Sequence, residues 1–95
     1  MPDNDNTQDA RKKKAIWRAE HRGIREMDLL MGGFARENVP AMDEAALCEF
    51  EALIEVSDLE LYDWLLGRAE PPAEHRTGTY ERLHSFRFDR QIYDG

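Results

Sequence analysis

The stretch "RAEHRGIREMDLL", Arg18 to Leu30, decides how the chain is read. Without Gly23 it would continue as one long amphipathic helix. A glycine in a helix interior costs about 1 kcal/mol relative to alanine, so its place between Arg22 and Ile24 calls for a use of the missing side chain. Gly23 falls where a residue of left-handed conformation would end a helix, which divides the stretch into two helices meeting at a bend.

Working outward from that bend, apolar residues recur at spacings of three and four, and the period-two alternation of half-buried strands is lacking. The first helix is expected from about Asp9 to Arg22, capped by Asp9 or Thr7, with Ile16 and Trp17 as inward anchors. In the second, Ile24, Met27, Met31 and Phe34 fall on one stripe. Gly32 and Gly33 weaken this helix and permit close approach of a neighbour, and Asn38-Val39-Pro40 ends it. A third starts at Asp43 and presents Leu47, Phe50 and Ile54 on one face.

Ser57-Asp58-Leu59-Glu60 reads as a capping box opening a fourth helix, which buries Leu61, Trp64 and Leu65 and stops at Gly67 before Pro71 and Pro72. A last helix runs from about Thr79 to Arg90 with Tyr80, Leu83 and Phe86 on one side. The expectation is an all-α fold: a compact single-domain bundle of about five short helices over residues 9–95. Residues 1–8 are expected to form a disordered polar tail, and the C-terminal end to be loose.

The 95 residues suffice for one domain with a modest core, which makes a deep enclosed active site a poor expectation. No apolar run approaches the length of a membrane span. The polar, acidic beginning MPDNDNTQDA lacks the apolar segment of a signal peptide and fits a transit peptide poorly, so a cytoplasmic location is expected. Charge is unevenly placed: residues 1–25 carry 7 basic and 4 acidic groups, residues 26–66 carry 1 and 11, and residues 67–95 carry 5 of each. The acidic middle repels phosphates, which argues against nucleic acid as a partner. Arg11-Lys12-Lys13-Lys14 reads as a solvated helix face.

A single cysteine, Cys48, and three scattered histidines offer neither a disulfide nor metal-ligand spacing. Cys48 is expected to be a small buried or half-buried filler, and His75 and His84 to be exposed. His21 and Glu26 could pair as a base and its orienting carboxylate, but no nucleophile, metal set or glycine-rich phosphate loop accompanies them. The reading is therefore of a protein without catalytic, metal or cofactor-binding residues of its own. Arg22, Gly23, Arg25 and Glu26 remain. They form either a capped bend with an exposed ion pair between Arg22 and Glu26, worth well under 1 kcal/mol, or a docking corner where glycine lets another backbone approach.

Arg22-Gly23-Ile24-Arg25-Glu26, continued as Met27-Asp28-Leu29-Leu30, and the later Asp58-Leu59-Glu60-Leu61-Tyr62-Asp63-Trp64-Leu65 together resemble the small flavinator family of succinate dehydrogenase assembly factors, the SdhE-type proteins. The likeness spans Ile16 to Pro72 and includes the Phe50-Glu51-Ala52-Leu53-Ile54-Glu55 segment ahead of the second motif and the proline after it. His21 stands where the family often has arginine, and Met42 where a serine or threonine cap is common. The segment after Pro72 adds nothing to the likeness.

The resemblance implies a five-helix protein that binds the flavoprotein subunit of succinate dehydrogenase, or of fumarate reductase, and promotes covalent attachment of FAD to it. It assigns the contact to Arg22, Gly23 and Glu26, with a lesser share for Arg25. The chain shows no dinucleotide fingerprint, so FAD is expected to be held by the flavoprotein. A monomer when free, with neither nucleic acid nor membrane as partner, completes the expectation; the rival is a helical adaptor using the same corner for an unrelated protein. In a mobility-shift assay with random duplex DNA at low salt, no complex is expected, and a salt-sensitive shift would contradict this exclusion.

Overall fold

The computed structural model describes residues 7–90, with side chains placed through residue 86. Five α-helices follow one another: α1 (Gln8–Glu20), α2 (Arg25–Asn38), α3 (Glu44–Ile54), α4 (Asp58–Leu65) and α5 (Gly78–Arg90). Short 3-10 turns at Val39–Ala41 and Ala73–His75 link α2 to α3 and α4 to α5. The expected tail lies, for residues 1–6, outside the described residues, whereas Thr7 and Gln8 belong to the start of α1.

Helix starts follow local side-chain chemistry. Thr7 Oγ1 accepts the Ala10 N–H at 3.1 Å, Asp43 accepts that of Ala46 at 2.9 Å, and Ser57 Oγ accepts that of Glu60 at 3.2 Å. Each contact satisfies one of the orphan donors of a first turn. Gly67 ends α4 with φ +80°, and the Arg68 N–H turns back to the Asp63 carbonyl at 2.9 Å. At α5, Thr77 Oγ1 takes the Tyr80 N–H at 3.1 Å while Glu49, reaching from α3, takes both the Thr79 N–H at 3.2 Å and the Thr79 hydroxyl at 2.8 Å. Thr79 is thereby buried with its polar groups satisfied, and α5 is tied to α3.

The core is continuous. Met27, Leu30, Met31 and Phe34 of α2 meet Leu47, Phe50 and Leu53 of α3, Leu61 and Leu65 of α4, and Leu83 of α5, all fully buried. Phe34 holds the centre, with its ring 5.7 Å from Phe50 and in an edge contact at 5.7 Å with Phe86. Trp64 seats α4 against Tyr80.

The inward face of α1 departs from expectation. Ala15 and Ala19 are its buried residues, Ile16 is half-buried, and Trp17 is 60% exposed. The reason lies across the interface: a Cβ placed on Gly32 would come within 2.9 Å of Glu20 Cγ and 3.3 Å of its Cα, so α1 and α2 approach too closely for a large side chain between them. Small residues therefore face inward, and the tryptophan is turned out. Gly32→Leu is expected to destabilise the fold by about 2 kcal/mol through overpacking, a fall in Tm of roughly 8–16 °C for a domain of this size. An unchanged melting temperature in circular dichroism would contradict the close approach.

Candidate functional site

The bend begins earlier than the sequence suggests. The first helix ends at Glu20 rather than Arg22, with His21 as its C-cap, and Gly23 follows two residues later at φ +113°. Ile24 is the N-cap of α2, so the four residues from His21 to Ile24 make the corner. A φ of this sign is strained for any residue bearing a Cβ. Space is not the constraint, since a Cβ at Gly23 would meet nothing nearer than Asp58 Oδ2 at 3.9 Å.

The first residue past that cap is Arg22. Its side chain is only 6% exposed and points inward, away from Glu26. The guanidinium donates from Nη1 to the Ile54 carbonyl at 2.6 Å, from Nη2 to the Val56 carbonyl at 2.5 Å and from Nε to Asp58 Oδ1 at 2.5 Å. The ion pair expected between Arg22 and Glu26 is thus replaced by one with Asp58, itself 14% exposed.

The physics of the exchange is plain. The last turn of α3 carries no basic residue, and its free carbonyls form the negative end of the helix dipole; Arg22 brings a cation to them. Asp58, in the first turn of α4, places its carboxylate at the positive end of that helix and takes the remaining N–H. One side chain therefore binds the bend to the α3–α4 junction.

A second anchor holds the bend from the other side. Asp28 Oδ1 accepts the Arg22 N–H at 2.5 Å and the Gly23 N–H at 3.1 Å. Neither Asp28 nor Asp58 stands out in the sequence as part of the corner. The absence of any cation in the last turn of α3, followed by an acid just past Ser57, is the signal that could have indicated one supplied from elsewhere.

With Arg22 withdrawn, the outward-facing members are Gly23 and Arg25, both exposed, and Glu26, half-buried. The Arg25 and Glu26 side chains make no hydrogen bond or ion pair among the described residues. His21 is not paired with Glu26: its Nδ1–H donates to the Trp17 carbonyl at 2.7 Å, and its ring stacks on that of Trp17 at 4.1 Å. A groove of about 320 Å³ opens beside the bend, lined by Trp17, Arg18, His21, Ile54, Ser57 and the Arg22–Asp58 pair.

Elsewhere several polar side chains are engaged in structure. Arg11 forks onto Glu44 at 2.8 Å and Glu51 at 2.7 Å, so the basic run is partly pinned rather than wholly solvated. Cys48 is exposed, not a core filler, and its thiol donates to Glu44 Oε2 at 3.1 Å. That bond pushes the thiol pKa up, and it also lowers that of Glu44, with Arg11 assisting. A thiol so placed is a poor nucleophile at neutral pH. The hydrogen bond from Arg18, at 2.8 Å, likewise holds Glu55 below the usual carboxylate range. The stabilisation from Glu44 and Glu55 is present at neutral pH and is lost as pH falls through their lowered pKa values.

His75 and His84, expected to be exposed, are both partly covered, His75 by Trp64 at 5.5 Å and His84 by Tyr80 at 6.2 Å. Among the described residues there is no cluster of metal-ligating side chains, and no helix is long and apolar enough to cross a membrane.

Two arginines three residues apart in the sequence should behave oppositely. Arg22→Ala is expected to cost about 3 kcal/mol in urea denaturation, because it strands a largely covered carboxylate and two carbonyls, whereas Arg25→Ala should change stability by no more than about 0.5 kcal/mol. Equal effects would contradict the inward placement of Arg22.

The sequence has relatives among known proteins. A family model described as flavinator of succinate dehydrogenase matches residues 13–87, continuing beyond Pro72, where the motif resemblance stops. The chain is 40% identical over 74 residues to the FAD assembly factor SdhE of Acetobacter pasteurianus, covering 78% of this chain and 68% of that protein. It is 35% identical over 66 residues to the mitochondrial succinate dehydrogenase assembly factor 2 of Dictyostelium discoideum, covering 70% of this chain and 47% of that one. With the corresponding protein of Caenorhabditis elegans it shares 29% identity over 87 residues, 88% of this chain and 73% of the relative. A bend motif, a Trp-bearing fourth helix and a match over most of the chain converge, and the protein belongs to the succinate dehydrogenase flavinator family.

Proposed function

We propose that this chain is an assembly factor that binds the flavoprotein subunit of succinate dehydrogenase, and of fumarate reductase where the cell has one, and promotes covalent attachment of FAD to that subunit. The observation that carries the reading is the outward corner Gly23-Ile24-Arg25-Glu26, left open while Arg22 is tied inward. Gly23 offers a backbone that another chain can approach, and Arg25 and Glu26 offer a cation and an anion for pairing across an interface. Arg22 acts one step back, as the residue that sets the position of the other three.

The chain contributes no catalytic group in this reading. FAD and the histidine that receives it belong to the flavoprotein, and the flavin, when bound there, would supply its 8α-methyl carbon as the point of attachment. The assembly factor favours the partner conformation in which histidine and ring are in attack geometry, and its leverage equals its differential affinity for that conformation. About 1.4 kcal/mol of such preference gives a tenfold change in population, within reach of one ion pair made in that state alone. The free protein is a cytoplasmic monomer that recruits neither nucleic acid nor membrane.

Backbone strain and steric block at Gly23 can be separated by comparing two variants. Gly23→Ala and Gly23→Arg share the cost of a positive φ, so their melting temperatures should fall together. Only Gly23→Arg projects a long side chain into the docking space. In-gel flavin fluorescence of the denatured flavoprotein subunit, after co-expression, should be retained with Gly23→Ala and reduced at least tenfold with Gly23→Arg; Glu26→Ala should reduce it without loss of fold. Bands of equal intensity for wild type, Gly23→Arg and Glu26→Ala would remove the corner from the reading.

A further inference from the structure

Among the described residues, three large hydrophobic side chains are strongly exposed: Leu59 at 70%, Trp17 at 60% and Leu29 at 51%. Singly scattered, such residues would mean nothing. These three lie on the elements joined at the bend: Trp17 on α1, Leu29 on α2 and Leu59 on α4. Trp17 lines the groove beside the bend together with Ser57 and Asp58, and Leu59 follows Asp58 in the first turn of α4. Leu29 follows Asp28, whose carboxylate holds the Arg22 and Gly23 N–H groups, and lies one helical turn beyond Arg25. Trp17 is also fixed in place, because its ring stacks on His21 at 4.1 Å with the planes 16° apart, and the His21 ring is tied to the Trp17 carbonyl.

We infer that Trp17, Leu29 and Leu59 form an apolar rim covered by the flavoprotein subunit when it docks on the Gly23 corner, with Trp17 as the main anchor. The inference rests on the proposed function for the identity of the occupant. It follows from size: a stable, specific interface buries about 800 Å² on each partner, from some 20–30 residues, and Gly23, Arg25 and Glu26 are too few to supply it. The footprint must extend past them, and the strongly exposed large apolar side chains on the elements that meet at the bend are these three. Charged pairs at the rim of an interface contribute mainly steering, whereas a pre-oriented tryptophan covered by a partner is the kind of residue that dominates affinity. The charged motif would then select the partner and the rim would hold it.

The test uses the full-length protein and the FAD-loaded flavoprotein subunit in biolayer interferometry. Trp17→Ala is expected to weaken Kd at least tenfold and Leu59→Ser three- to tenfold, with melting temperatures within about 3 °C of wild type because both side chains are exposed. Arg82→Ala, on the exposed side of α5, should leave Kd unchanged. Hydroxyl-radical footprinting should show Trp17 oxidation falling on complex formation.

If Kd stays within twofold of wild type for both Trp17→Ala and Leu59→Ser while Gly23→Arg abolishes binding, the rim is excluded and the corner survives. Failure of the wild-type protein to bind the subunit overturns both. Sedimentation velocity of the free protein covers a further occupant: a concentration-dependent dimer lost in Trp17→Ala would make the rim a self-association face and overturn the inference.

Discussion

The guanidinium of Arg22 is the contact on which the arrangement of the bend depends. It crosses from the end of the first helix to the Ile54 carbonyl at the end of α3, the Val56 carbonyl in the turn after it and a carboxylate at the start of α4, so the three segments converge on one side chain. Buried ion pairs are often no better for stability than an apolar replacement, because desolvation consumes much of the attraction. Here the cation also satisfies helix-end carbonyls that lack a basic residue in their own last turn. Its value is therefore positional as much as energetic: it fixes where Gly23 stands relative to α4.

From that placement follows the division of labour within the motif. Arg22 and Asp28 are committed to the protein's own fold, while Gly23, Arg25 and Glu26 are left outward. A corner restrained on both sides loses little conformational freedom when a partner lands on it, and preorganisation of this kind strengthens binding without adding contacts. It also suits the task proposed for the protein, since a rigid surface can favour one conformation of the flavoprotein where a yielding one would adapt to both.

Much of the fold was legible in the sequence because it is locally determined. The stripe Met27, Met31, Phe34, the serine half of the capping box at Ser57 and the stop at Gly67 each depend on residues within two turns of one another. The misreadings involve partners distant in the chain. Trp17 faces outward because Gly32, fifteen positions on, draws α2 against Glu20. Cys48 is held at the surface by an exposed acid, Glu44, which is itself forked by Arg11 from another helix. Arg22 could be recognised as part of a motif, yet its direction could not, since its acceptors lie more than thirty residues away and two of them are backbone carbonyls. The start of α5 depended in the same way on Glu49 reaching across from α3.

The central claim is that the bend between α1 and α2 is where the flavoprotein subunit lands. Amide hydrogen–deuterium exchange of this protein, alone and in complex with that subunit, measures it without altering a residue. The account predicts slower exchange in peptides spanning residues 22–29 on complex formation, with α5 unchanged. Protection centred on α5, with residues 22–29 exchanging as fast as in the free protein, would contradict it.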